Sequence, residues 1–291
     1  PYSDVDLLIL LPEHTDAQLN QSIESLVGLF WDIGLAVGHS VRNLRECIEE
    51  ASKDATVQTN LLEARFLTGN KALYRQFESH IAACIVPEDF YRAKMQEQAL
   101  RHSRFNDTAH NLEPNIKESP GGLRDLQNVL WIARSMGIGA SWAALVSAGL
   151  ISASEARQIR RHEHHLQMLR VRLHYLAKRR EDRLIFDFQN DLAAQLGFQN
   201  NMRRRASEQL MRGFYRCAKF ISLMNDILLQ LLKDRLTQFD EATTSINDRF
   251  ESRHGLLEIK SATLLQRQPS AILESFLLLE KDQTLKGMSP N

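Results

Sequence analysis

The chain has 291 residues, 36 basic and 36 acidic side chains and 43% hydrophobic residues, the make-up of a soluble globular protein with room for two cored domains. Its residues include no apolar stretch of membrane-spanning length and no segment with the basic start and apolar middle of a secretory signal, so neither is expected in them. Cys47, Cys84 and Cys217 are odd in number and far apart, which indicates neither a disulfide framework nor a zinc knuckle and makes a bacterial-type cytoplasm the default compartment.

In chain order, Leu7–Leu11 reads as a buried strand behind the acid pair Asp4 and Asp6. Asp16–Asp32 reads as a helix with Leu19, Ile23, Leu26 and Phe30 on one face. Leu35–Val41 follows as a strand, Leu44–Ser52 as a short helix, Thr56–Leu67 as a further strand, and Lys71–Ile85 as a helix that stops before Pro87. Together these make an α+β unit with a mixed sheet of at least three strands. Between Pro120 and Pro269 there is no proline, and between Gly149 and Gly197 no glycine, which favours long helices. Leu123–Met136 is one of them. Ser207–Leu232 is another, with Leu210, Phe214, Ala218, Ile221, Leu228 and Leu232 at helical spacing or its multiples. RFESRHGLLEI reads as a hairpin around His254-Gly255. The expected division is residues 1–113 as the α+β domain, 114–245 as an all-α bundle, and 246–291 as a hairpin-like segment and linker.

The zero net charge conceals an asymmetry. Residues 1–60 carry three basic side chains (Arg42, Arg45, Lys53) against ten acidic ones, whereas residues 157–219 carry fifteen basic against six acidic. One segment can hold cations and the other can face anions, which suits a phosphate-bearing ligand or an acidic partner; solvated helix faces have the same composition.

Asp4 and Asp6 sit two apart, so on a strand they share a face and repel unless a cation lies between them; in a turn ahead of the strand they would simply be solvated. Two carboxylates on a rigid strand, completed by a third acid, are what a two-Mg²⁺ site needs to transfer a nucleotidyl group from a triphosphate to a hydroxyl. Glu63, the acid inside the expected strand Thr56–Leu67, is the candidate third ligand; its alternative is a salt bridge to Arg65 or another base.

PYSDVDLLILLP resembles the metal-binding strand of the DNA polymerase β nucleotidyltransferase superfamily. FWDIGLAVGHSVRN, TVQTNLLEARFLTGN and PNIKESPGGLRDLQNVLWIAR, with REDRLIFDFQ and QRQPSAILESFLLL further on, resemble one family within it, the bacterial PII uridylyltransferase/uridylyl-removing enzymes. The resemblance runs over nearly the whole chain. It implies transfer of UMP from UTP to a tyrosine of the PII signalling protein with Mg²⁺, in the cytoplasm, as part of nitrogen sensing through glutamine. By this resemblance Asp4 and Asp6 match the paired metal ligands, Glu63 matches the third acid, and Ser3 lies where it would touch phosphate. The resemblance also implies a glycine-rich turn upstream of Asp4 and an HD phosphohydrolase domain followed by ACT domains. Neither that turn nor an HD dipeptide occurs in the sequence, so the expectation is the transferase portion with its helical partner domain.

In NIKESPGGLRDLQ, Gly121 and Gly122 open a helix whose N–H donors would favour an anion, with Lys117 and Arg124 beside it. The functional reading is a phosphate grip for UTP; the structural one is a Gly-Gly turn with Asp125 in a helix-terminal charge interaction. His162 and His165 share a helix face at metal-binding spacing, yet no acidic or cysteine cluster completes a site, and a packed histidine face is the expectation. His39 reads as a satisfied histidine near the first core. Competing readings are a glutamine synthetase adenylyltransferase-like domain, which shares the Gly-Gly-hydrophobic-Arg-acid segment, and a non-catalytic nucleotide- or partner-binding module. Nucleic acid is not an expected partner, because the basic helices lack interleaved aromatics.

Overall fold

The computed structural model describes residues 5–34, 37–105, 108, 111–201, 204–237, 244–253, 256–261, 264–282, 284–285 and 287–289. By internal packing the chain separates into two compact units, Pro1–Asn225 and Asp226–Asn291. No helix among the described residues is long and apolar enough to cross a membrane.

The first unit begins with a parallel pair of strands, β1 (Val5–Leu11) and β2 (Val37–Asn43), joined through helix α1 (Ala17–Asp32). Asp16 caps α1 by accepting the Leu19 N–H at 2.7 Å. The buried side of α1 carries Val27, and Leu26, expected on that side, is 41% exposed. Asn43 and Glu46 form a reciprocal capping box that starts α2 (Leu44–Lys53) at the last residue of β2.

The segment Thr56–Leu67, expected as a strand, is instead helix α3 (Ala55–Glu63) followed by an irregular stretch. Asp54 caps it through the Thr56 N–H at 2.6 Å, and the Thr59 hydroxyl donates back to the Ala55 carbonyl at 2.8 Å. Thr59 and Leu62, three apart, turn to the same buried side with Leu61. A good cap and helical spacing prevail over the β-branched run that suggested a strand. The described residues of this sheet are therefore two strands, not three or more.

Helices α4 (Lys71–Cys84) and α5 (Pro87–Ser103) follow; Pro87 stands in the first turn of α5, where a missing N–H costs nothing. The rest of the unit is helical: α6 (Leu123–Ser135), α7 (Trp142–Ser147), α8 (Ala153–Ala177), α9 (Phe186–Gln195) and α10 (Ala206–Thr237), which continues past the unit boundary. Leu210, Phe214, Ala218 and Ile221 of α10 are all buried, as their spacing predicts.

The second unit holds a four-stranded sheet in the order β3 (Thr244–Ser245), β4 (Phe250–Arg253), β5 (Leu256–Ile259), β6 (Gly287–Met288). β4 and β5 pair antiparallel as the expected hairpin, whose turn residues His254 and Gly255 lie outside the described residues. Helices α11 (Leu264–Arg267) and α12 (Ala271–Lys281) complete it, over a small core of Phe250, Leu257, Ala271 and Leu285.

Candidate active site

Asp6 is exposed near the start of β1, in register with Gly38 of β2. A Cβ on residue 38 would stand 2.9 Å from Asp6 Oδ1, so the glycine leaves open the space beside that carboxylate. An exposed carboxylate oxygen on a strand, with no side chain on residue 38 to crowd it, could take part in holding a Mg²⁺ ion, which keeps several of its waters. Ser3 and Asp4 lie outside the described residues. Glu63 is an exposed residue at the C-terminal end of α3, so the argument that a buried strand carboxylate demands a metal no longer applies to it. Among the described residues no three His, Cys, Asp or Glu side chains gather into a metal-holding group.

The Pro120 segment is a closed turn. Asn115 Oδ1 accepts the N–H groups of Lys117 at 2.9 Å and Glu118 at 2.8 Å, an Asx turn that starts the loop. The loop then folds on itself: Leu123 N–H donates to the Ile116 carbonyl, Arg124 N–H to Lys117 and Gly122 N–H to Ser119, at 3.0, 2.9 and 2.8 Å. The Gly121 N–H donates to Asp125 Oδ2 at 2.7 Å. The expected anion-binding amides of Gly121 and Gly122 are thus already engaged, and both residues are buried. The glycines serve packing. Gly121 has φ +76°, and a Cβ there would lie 2.2 Å from the Ala218 carbonyl oxygen of α10; one on Gly122 would lie 2.7 Å from the Lys117 carbonyl oxygen.

Asp125, 1% exposed, goes beyond the expected helix-end interaction. Besides Gly121 it accepts Arg101 Nη2 at 2.6 Å and lies 2.9 Å from His102 Nε2, both on α5. One turn along, Asn128 Nδ2 donates to Gln98 Oε1 at 2.8 Å, and beyond that Lys94 Nζ sits 4.7 Å over the Trp131 ring. Lys94 also donates to Thr59 Oγ1 at 3.1 Å and pairs with Glu97. Lys94, Gln98 and Arg101 face Trp131, Asn128 and Asp125 as an antiparallel ladder between α5 and α6. Sequence reasoning missed it, although polar residues at helical spacing behind the buried Phe90 were its signal.

Two cations remain near the loop surface. The Arg124 guanidinium lies 5.1 Å from the centre of the Trp131 ring, with Nε 3.4 Å from Glu118 Oε1; Lys117 Nζ is 3.8 Å from the same oxygen. Burial, then the nearby Arg124 and Arg170 charges, push the Lys117 ammonium below its usual range. Such crowded cations suit an anion. Behind them Asp182 binds Arg170 Nε at 2.6 Å and stands 2.9 Å from His174 Nε2. Burial alone would raise the Asp182 pKa, but these two partners hold it below the usual carboxylate range.

The remaining candidates are structural. The His162 ring lies 4.3 Å from the Phe220 ring, and Glu163 accepts the Trp142 indole N–H at 2.9 Å. His39 is exposed, edge-on to Trp31 at 6.0 Å, and not part of a core. Burial pushes the Cys217 thiol up to about 12 and that of Cys47 up to about 11, so neither is a thiolate nucleophile near neutral pH. A cleft of about 300 Å³ between Leu61, Ile81 and Arg134 lacks Asp6, Lys117 and Arg124 from its walls.

The profile of GlnD PII-uridylyltransferase matches residues 89–229, and that of the third domain of uridylyltransferase GlnD matches residues 250–291. Several relatives carry the name bifunctional uridylyltransferase/uridylyl-removing enzyme. That of Nitrosospira multiformis is 51% identical over 99% of this chain and 33% of its own length. Those of Burkholderia orbicola and Ralstonia nicotianae are 48% and 47% identical over 99% and 100% of this chain, and 34% of their own. The chain spans about a third of the length of these relatives. With two successive profiles matched and half its residues shared from end to end, the chain belongs to the GlnD PII-uridylyltransferase family.

Proposed function

We propose that this chain carries the uridylyl-transferring site of a cytoplasmic nitrogen-sensing enzyme, moving UMP from UTP to a tyrosine of the PII protein. The observation that carries the reading is Asp6: an exposed carboxylate on a strand, with a glycine leaving space beside it, in a chain half identical to named uridylyltransferases. In this reading Asp4 and Asp6 hold Mg²⁺, which when bound neutralises charge on the triphosphate and activates the acceptor hydroxyl. Glu63 is retained as the third acid only on the strength of the resemblance, and Ser3 as a phosphate contact.

Lys117 and Arg124 hold phosphate through their side chains, since the turn between them offers no free amide. Trp131 and Glu118 fix the Arg124 guanidinium, so little conformational freedom is lost when an anion arrives. Gly121 and Gly122 position that pair by allowing the turn to close against α10. Donor choice provides the test. The full-length protein is given labelled UTP or ATP, with PII or glutamine synthetase as acceptor. Label on PII from UTP alone is the expected result, and label on glutamine synthetase from ATP would overturn the reading.

A further inference from the structure

A groove of about 440 Å³ runs along α10, lined by Glu208, Met211, Arg212, Tyr215, Arg216 and Lys219. Arg212, Arg216 and Lys219 recur at i, i+4 and i+7, and so form one row along roughly 10 Å of helix. Several exposed cations elsewhere have close carboxylates (Arg45 with Glu49, Lys53 with Glu50, Arg92 with Asp89, Arg179 with Glu181), while others, such as Arg157 and Arg160, lie in no such pair among the described residues. Among the described residues the three cations of the row have none, and the nearby Glu208 carboxylate is turned to the Arg205 N–H at 3.2 Å. Like charges four apart destabilise a helix, so the row persists against a local cost.

Between the cations the groove is apolar. Met211 is 7% exposed, and the Tyr215 ring is pinned by its hydroxyl, 3.1 Å from the Asn111 carbonyl oxygen. The row is also next in sequence to the point where α10 meets the Lys117–Arg124 loop: Lys219 follows Ala218, the residue whose backbone abuts Gly121.

We propose that this face of α10 docks an acidic patch on the protein that accepts the nucleotidyl group, with an apolar side chain of that protein over Met211 and Tyr215. The proposal rests on the uridylyltransferase reading for the identity of the acceptor. A nucleotide is the poorer fit, because phosphates favour convergent donors and free backbone amides, whereas the interior of α10 offers none and its cations are strung out in a line. Spaced carboxylates on a protein surface match that line, and a shallow open groove suits a protein face.

The test compares the unmutated full-length protein with R212E/R216E/K219E, and with R212Q/R216Q/K219Q as the variant that keeps most of the stems and reverses nothing. Binding of PII is measured at low and high salt, and KM values for PII and for UTP are taken separately. Charge reversal is expected to raise the Kd and KM for PII by about tenfold and to flatten the salt dependence, with the glutamine variant intermediate and KM for UTP unchanged. A folded variant that binds PII as tightly as the unmutated protein overturns the docking surface. So does a loss that falls on UTP or inorganic tripolyphosphate instead of PII, or an unmutated protein that does not bind PII. The activity itself is scored apart from this: an unmutated protein that binds PII through the row yet transfers no UMP overturns the function and leaves the docking surface standing.

Discussion

Gly121→Ala isolates what the Gly-Gly turn does. Two costs are superposed at this position. The backbone has φ +76°, and placing an L side chain in the left-handed region costs about 1–2 kcal/mol. In addition the new methyl would sit 2.2 Å from Ala218 O, 2.7 Å from its carbonyl carbon and 2.8 Å from its Cα, all backbone atoms of a buried helix that cannot swing aside. Overpacking of that kind adds about 1–3 kcal/mol. Gly137, just past the end of α6, supplies the control: its φ is +73°, and a methyl added there would meet nothing within 4 Å. Gly137→Ala should therefore lose only the first cost. At about 2–4 °C per kcal/mol in a unit of this size, thermal unfolding should fall further for Gly121→Ala than for Gly137→Ala by about 2–12 °C. Equal losses in the two variants would refute the claim that the turn is locked against α10.

Other outcomes follow from the same geometry. Asp125→Asn removes the nearer of two counter-charges from the buried Arg101, leaving Glu118 at 3.8 Å, and should cost about 3–5 kcal/mol in urea unfolding; a loss below about 1 kcal/mol would remove Asp125 from the centre of the α5–α6 ladder. Asp182 has its pKa lowered in the folded chain, so it contributes stability that is present above the ordinary carboxylate range and is lost as pH falls through the folded value. Asp182→Asn should accordingly be less stable than the unmutated chain from about pH 5 upwards, with the difference shrinking below about pH 4; a difference that grows on acidification would contradict this. Arg124→Ala should raise the KM for UTP by about 10–100-fold, the loss of one charge-assisted contact, and an unchanged KM would return Arg124 to a purely structural role.

Much of the fold is legible in the sequence because caps and periodicity agree. Asp16 before Ala17 and Asn43 with Glu46 mark helix starts that the structure reproduces, and the buried face of α10 follows its spacing residue by residue. The stretch after Asp54 misleads because Thr56, Val57 and Thr59 favour strands locally, while the cap and the packing of Leu61 and Leu62 decide for helix. That error carries Glu63 with it. The site is legible in residue type and only partly in role. Lys117 and Arg124 do crowd together, but no pattern in PGGLRD reveals that its amides are spent within the turn, since that depends on the loop folding back onto the carbonyls of Ile116, Lys117 and Ser119 and onto the Asp125 carboxylate. The α5–α6 ladder is hidden for the same reason: buried polar residues resemble exposed ones until their partners are known.

The central proposal, a metal-dependent uridylyl transfer built on Asp6 of β1 together with Asp4, is tested most directly by Asp6→Asn in the full-length protein. The assay is incorporation of label from UTP into PII in the presence of Mg²⁺, with thermal unfolding as the check on folding. Asp6 is exposed on β1, so the substitution should leave the fold intact. Loss of a metal ligand removes several kcal/mol of charge stabilisation, and transfer should drop by about a thousandfold or more. A folded Asp6→Asn protein that labels PII at close to the unmutated rate would contradict the account.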